Sequence, residues 1–220
     1  MIIISGCSSP SAPISYREQP ISEKLNHHTI SSGETLYSIA WRYEIDPRAL
    51  AKINNIQITD KIYVGQQLSL DTSKSSAKPY ENRLTVQENS IPYISSDNVK
   101  WQWPIKGKVL KEFNSTKLFK GINIASNYGS TVLSAAPGIV VYSGESLRGY
   151  GKLIIIQHGQ SFLSAYAHNK EVFVKADDTV KTNQKISETG YVGLKNQYLY
   201  FEIRKKGKPV NPLIYLPKAD

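Results

Sequence analysis

Between residues 101 and 217, short apolar runs alternate with glycine- and asparagine-rich turns, and no stretch sustains a long helical period. The β-prone runs are Val132–Leu133, Gly138–Tyr142, Lys152–His158, Ser161–His168 and Tyr198–Arg204. Gly149-Tyr150-Gly151, His158-Gly159 and Thr189-Gly190 punctuate them, and Asn211-Pro212-Leu213 closes the segment. β-rich runs at this spacing with turn residues between them predict a mainly antiparallel β domain. The longest purely aliphatic run, Leu153 to Ile156, is far short of the roughly 20 residues needed to span a bilayer.

Upstream, residues 27–70 read differently. His28-Thr29-Ile30 is a short β run, and Ser32-Gly33-Glu34-Thr35 combines a turn with a helix cap. Leu36, Ile39, Ala40 and Tyr43 then fall at i, i+3, i+4 and i+7, one apolar helical face. Asp46-Pro47 starts a second helix, aspartate as cap and proline at the first helical position. Asn54-Asn55 stops it, and Ile62 to Leu70 returns as a strand. This small α+β order, β-α-α-β, is close to the lower size limit for a core without disulfide or metal. The single cysteine, Cys7, excludes both an internal disulfide and a cysteine-rich zinc module.

Three stretches resemble a LysM domain: Gly33 to Ala40, Leu50 to Asn55, and Ile62 to Leu68. That resemblance implies binding to N-acetylglucosamine-containing glycan strands such as peptidoglycan. The implied groove lies between the first turn and the loop after the second helix, with Gly33, Glu34, Thr35, Leu36, Asn54, Asn55 and Ile56 as its residues. Residue by residue, a structural role competes with this one: Gly33 suits a turn, and Leu36 and Ile39 suit a core.

Charge divides the chain. The formal net charge is +9, yet residues 1–26 and 27–70 are each neutral and 71–99 carry −1, so residues 100–220 carry +10. Such a surface favours an anionic partner. The Ser-, Asn- and Pro-rich residues 71–99 read as a flexible linker of about 30 Å root-mean-square span. They are expected to let the two domains reach different targets.

The β segment, 100–217, resembles the LytM (lysostaphin-type) metallopeptidase domain. The resemblance rests on Trp103-Pro104-Ile105-Lys106-Gly107, Lys120 to Ala125, Ala135 to Gly144, Gly149-Tyr150-Gly151, Tyr166-Ala167-His168 and Phe201 to Arg204 with Gly207 to Pro212. Active members hold zinc through a histidine and an aspartate four residues apart, plus the second histidine of a His-x-His pair. The matching positions here are Phe119, Asn123 and, for the pair, Tyr198 and Tyr200; only His168 remains. Phenylalanine offers no donor, a neutral amide is a poor ligand, and tyrosine must lose a proton with pKa near 10. The expectation is therefore no metal, no cofactor and no peptidase activity. Phe119, Asn123, His168, Tyr198 and Tyr200 should instead form an aromatic cleft for a partner. Of the other candidates, His158 reads as a turn residue and Asp177-Asp178 as a solvated turn.

Ile4-Ser5-Gly6-Cys7 resembles a bacterial lipobox, with Cys7 the lipidated residue, Ser8 favouring outer-membrane sorting, and residues 8–26 a tether. Acyl chains there would anchor the protein without a spanning helix. The combination resembles the NlpD-like division lipoproteins of Gram-negative bacteria. It implies a non-catalytic activator of a zinc N-acetylmuramoyl-L-alanine amidase of the AmiC type, held on septal peptidoglycan at the periplasmic side of the outer membrane. Nucleic acid is not an expected partner there. The alternatives are an unconventional or zinc-independent peptidoglycan endopeptidase and a passive wall anchor.

Overall fold

The computed structural model describes residues 26–74, 98–116, 119–191 and 197–218. Cys7 and residues 75–97 of the expected linker lie outside the described residues.

The first unit has the expected order. Strand β1 (His27–Thr29) is followed by helices α1 (Leu36–Tyr43) and α2 (Pro47–Ile53), and β2 (Gln67–Ser69) pairs antiparallel with β1. Thr35 caps α1 reciprocally: its hydroxyl accepts from Ser38 N while the Ser38 hydroxyl accepts from Thr35 N. Asp46 caps α2 by accepting from Arg48 N and Ala49 N. Both caps occupy amides that a helix start leaves unpaired. Leu36, Ile39, Ala40, Leu50 and Leu68 form the core. The strand expected over Ile62–Leu70 shrinks to three residues. Gly65 bends the chain at φ +86°, and the Gln66 side chain accepts from Tyr63 N, which makes residues 63–66 a turn. The unit also continues past residue 70, through a 3-10 turn at Thr72–Lys74.

The second unit is antiparallel, as expected. Its strands are β3 (Val109–Lys111), β4 (Ile122–Ala125), β5 (Thr131–Leu133), β6 (Gly138–Gly144), β7 (Lys152–His158), β8 (Phe162–Val172), β9 (Thr179–Val180), β10 (Lys185–Thr189), β11 (Tyr198–Lys205) and β12 (Lys208–Val210). The main sheet runs β3-β4-β11-β8-β7-β6-β9; β10 joins β5 to the far end of β8, and β12 forms a hairpin with β11. Strand β8 serves two neighbourhoods. Residues 162–167 pair with β11, whereas Asn169 to Val172 pair with β10. His168, at φ +66°, is the corner between them.

The continuous apolar character of β7 and β8 follows from burial on both faces. Side chains alternate strictly. Ile154, Ile156, Phe162, Tyr166, Leu199, Phe201 and Ile203 point into the main core. Leu153, Ile155, Leu163, Ala165, Ala167 and Tyr200 point to the opposite face.

That opposite face is covered by the first unit, contrary to the expectation of two independently reaching domains. Trp41 of α1 is 2% exposed and packs into the cluster with Val141, Tyr142, Leu147 and Tyr200. Polar contacts stitch the seam: Tyr37 donates to Gln157 at 2.5 Å, Thr35 to the Val141 carbonyl at 3.3 Å, and Lys120 pairs with Glu44 at 2.5 Å. Lys206 and Gly207 turn the β11–β12 hairpin with φ +50° and +76°, the primed geometry that a two-residue loop needs. Gly207 also presses on the α1–α2 turn, where a Cβ would lie 2.4 Å from Asp46 N. The physical reason for docking is that α1 is apolar on a second side: Trp41 falls outside the face made by Leu36, Ile39, Ala40 and Tyr43.

His158 also departs from expectation. It ends β7, fully buried, with Nδ1 2.8 Å from the Pro137 carbonyl and Nε2 2.6 Å from the Ser164 hydroxyl. Burial pushes its pKa down to about 4. The following glycine makes the turn; the histidine itself is core. Asp177 and Asp178 do form a turn, with Asp177 at φ +74° and the Asp178 carboxylate accepting from Lys175 N.

Candidate functional site

Three strands build the groove. Antiparallel register sets Asn123 of β4 beside Tyr200 of β11 and Tyr200 beside Ala167 of β8, so these side chains share a face. Tyr198 lies two residues from Tyr200 and faces the same way. Phe119 precedes β4, held by a reciprocal backbone pair with Asn114, and its ring meets Tyr200 edge-on at 5.8 Å. His168 meets Tyr198 at 5.5 Å and Tyr200 at 6.3 Å. The five residues are thus brought together, on a wall that also includes Tyr150, 5.8 Å from Tyr200. Lys111 Nζ sits 3.8 Å over the Phe119 ring, a cation on an aromatic face.

The two tyrosines differ. Tyr200 is 9% exposed and its hydroxyl donates to Glu202 Oε2 at 2.6 Å. It is therefore part of the wall rather than a free hydroxyl edge. Burial, then the Glu202 charge, raises its pKa, and the same two causes in that order push Tyr150 up to about 12. Tyr198 is half-buried and stands at the groove's surface with His168. Burial lowers the His168 pKa, favouring the neutral ring.

This donor set does not fit a zinc ion. Phe119 brings no donor, the Asn123 Oδ1 is buried without a hydrogen-bond partner among the described residues, and the Tyr200 hydroxyl is committed to Glu202. One imidazole remains, where a catalytic zinc takes three protein ligands. No reaction step through a metal follows from these residues.

Beneath the groove runs a polar ladder. Tyr198, Tyr200, Glu202 and Arg204 alternate along one side of β11. Arg204 Nε donates to Glu202 Oε1 at 2.6 Å, with both side chains at 1% exposure or less. Burial raises the Glu202 pKa, opposed by the Arg204 charge. Glu202, Arg204, Tyr150 and Trp41 were not among the expected site residues. The i, i+2 spacing places the ladder on one face, but nothing in the spacing shows that a second domain buries it.

In the first unit, the seven expected glycan residues separate by environment. Leu36 is core. The Asn54 amide clasps the Leu50 and Ser69 carbonyls and accepts from Ser69 N. Glu34 accepts from Ser31 N, pairs with Arg42 at 2.7 Å and contacts His28 at 2.8 Å. Although burial opposes it, these partners together hold its carboxyl below the usual range. Thr35 reaches across the seam to Val141. Gly33 and Asn55 are exposed and Ile56 is half-buried.

Comparison with known proteins matches residues 28–71 to the LysM domain model and residues 117–212 to that of peptidase family M23. The chain is 36% identical over 245 residues to the lipoprotein NlpD/LppB homolog of Pseudomonas aeruginosa, covering 94% of this chain and 82% of that one. It is 34% identical over 256 residues to the murein hydrolase activator NlpD of Escherichia coli, covering 87% and 68% respectively. Among solved structures, a zinc-containing peptidase from Vibrio cholerae aligns over 55% of this chain and 40% of its own, at 25% identity and a TM-score of 0.47. With relatives this similar over most of both chains, the protein belongs to the NlpD/LppB lipoprotein family, as a LysM domain joined to an M23 (LytM-type) domain.

Proposed function

We propose that this protein is a non-catalytic activator of a murein hydrolase in the Gram-negative envelope, and more finely of a zinc N-acetylmuramoyl-L-alanine amidase of the AmiC type at the division septum. The observation that carries this reading is the donor-poor aromatic groove of Phe119, Tyr198, Tyr200 and His168 where a peptidase of this fold would hold zinc. The name of the Escherichia coli relative, murein hydrolase activator, supports it. The LysM unit holds peptidoglycan glycan strands, and Cys7 carries the lipid anchor to the outer membrane. Tyr198 and His168 offer the groove's accessible surface to the amidase, and an aromatic wall over a buried ladder suits a protein hot spot.

The test is release of dye from labelled peptidoglycan by this protein, by a purified AmiC-type amidase, and by both. The mixture is expected to exceed the sum of the two alone at least fivefold. Release by this protein alone would establish the endopeptidase instead, and a merely additive mixture would leave only the wall anchor.

A further inference from the structure

The seam between the two domains opens into a cleft of about 470 Å³. Four cationic side chains line it, Arg42 from the LysM unit and Lys120, Arg148 and Arg204 from the LytM-type unit, together with the rings of Trp41 and Tyr150; no acidic side chain among the described residues lines it. Three of the cations have acidic partners outside the cleft. Arg42 pairs with Glu34, Lys120 with Glu44 and Arg204 with Glu202. Arg148 is exposed and has no acidic partner among the described residues, so the cleft keeps an excess positive charge. Arg204 commits Nε to Glu202 and Nη1 to the Trp41 carbonyl, which fixes its plane at the cleft wall. The Trp41 indole Nε1 is buried at the cleft wall beside Tyr150.

We infer that this cleft is a carboxylate-binding site that takes an acidic side chain of the hydrolase the protein activates. Guanidinium groups match a carboxylate through two parallel N–H donors, and Arg148 is free to do so. The volume admits several side chains, in the range of ordinary ligand sites. The inference rests on the activator reading. Tyr150 connects the two surfaces, since it walls the cleft and also packs on Tyr200 of the groove. A polypeptide seated on Tyr198 and His168 can therefore continue past Tyr150 and set a glutamate or aspartate against Arg148. Cations and rings side by side are the composition of a protein hot spot, whereas a neutral glycan needs neither arginine nor excess charge.

The experiment follows the three tryptophan indole N–H signals of the nitrogen-15-labelled protein at low ionic strength. The probe is an acetylated, amidated tetraglutamate peptide, with tetraglutamine as control. The Trp41 signal is expected to shift with tetraglutamate only, while those of Trp101 and Trp103 stay. Arg148→Gln should weaken binding at least fivefold, with Arg148→Lys intermediate, and a Lys205→Gln/Lys206→Gln pair on the β11–β12 hairpin should leave it unchanged. Equal losses in the arginine and lysine variants, or a stationary Trp41 signal, would overturn the site. A murein stem peptide that shifts Trp41 more strongly than tetraglutamate would overturn the protein partner in favour of the wall. Activation assays separate the two readings. Arg148→Gln should lower amidase activation at least fivefold; full activation by that variant sinks the cleft and leaves the activator standing. Tetraglutamate binding without activation by the unaltered protein does the reverse.

Discussion

The Arg204 guanidinium lies 3.6 Å above the Trp41 ring and donates from Nη1 to the Trp41 carbonyl at 2.5 Å, so one side chain of the β domain holds both the ring and the backbone of the LysM helix. The same guanidinium neutralises Glu202 from below. Removing it therefore acts on the seam and the ladder together. Arg204→Met leaves a buried carboxylate without its cation, a loss of about 3–5 kcal/mol. Adding Glu202→Gln should recover a large part of that. Chemical denaturation of the two variants measures the recovery; a double variant no more stable than Arg204→Met would show that Glu202 does not need its partner.

Gly207 tests the seam from the other side. Alanine there meets the backbone of Ile45 and Asp46 and sits at positive φ, which costs about 1–2 kcal/mol for an L-residue. The close approach adds to this only while the domains are docked. Gly207→Ala is expected to enlarge the radius of gyration in small-angle scattering while both cores stay folded by circular dichroism. An unchanged radius would mean the hairpin tip is not a seam contact in solution.

The groove tyrosines should separate cleanly. Tyr198→Ala removes a half-buried ring with no hydrogen-bond partner on its hydroxyl among the described residues, and is expected to lower amidase activation at least tenfold with a melting temperature within about 2 °C of the parent. Tyr200→Ala empties the wall and strips Glu202 of a donor, at about 3–5 kcal/mol. Tyr200→Phe keeps the ring and should retain activation. Equal activation by Tyr198→Ala and the parent would remove the groove as the contact.

His158 predicts an acid limit. Its folded pKa of about 4 lies below the ordinary 6.5, so the fold favours the neutral ring. This contribution is complete above pH 6.5 and is lost as pH falls from there toward 4. At 1.36 kcal/mol per pH unit it amounts to about 3 kcal/mol. The denaturant midpoint should fall steeply between pH 7 and 4.5. In His158→Gln, less stable at pH 7, that slope should flatten; an equally steep slope would assign the acid loss elsewhere.

Local order was legible wherever short-range chemistry decides it. Thr35 and Asp46 announce their helices because a cap acts within three residues. The shared face of Tyr198 and Tyr200 on β11 reads directly from their i, i+2 spacing. The clustering of Phe119, Asn123, His168, Tyr198 and Tyr200 was reached through family resemblance, and strand register then supplies its physical cause. What escaped depends on the second domain's position. A strand that buries Glu202 and Arg204 looks the same as one that exposes them until Trp41 arrives. Likewise, His158 before Gly159 reads as a turn, because the Ser164 and Pro137 partners that make it core lie elsewhere in the chain. The corner at His168 gives no periodic sign, since a single left-handed residue leaves the apolar pattern on both sides intact.

The LysM core closes among residues about 40 apart, but Trp41 and Arg204 are separated by 163 residues. During N-to-C synthesis or export, the first domain completes itself long before its clamp exists. Its tryptophan face is bare through that interval, an apolar patch on an otherwise finished module and a natural foothold for a chaperone. Strand β11 is thus the latch of the assembly, and truncation before it would leave a folded but sticky LysM fragment.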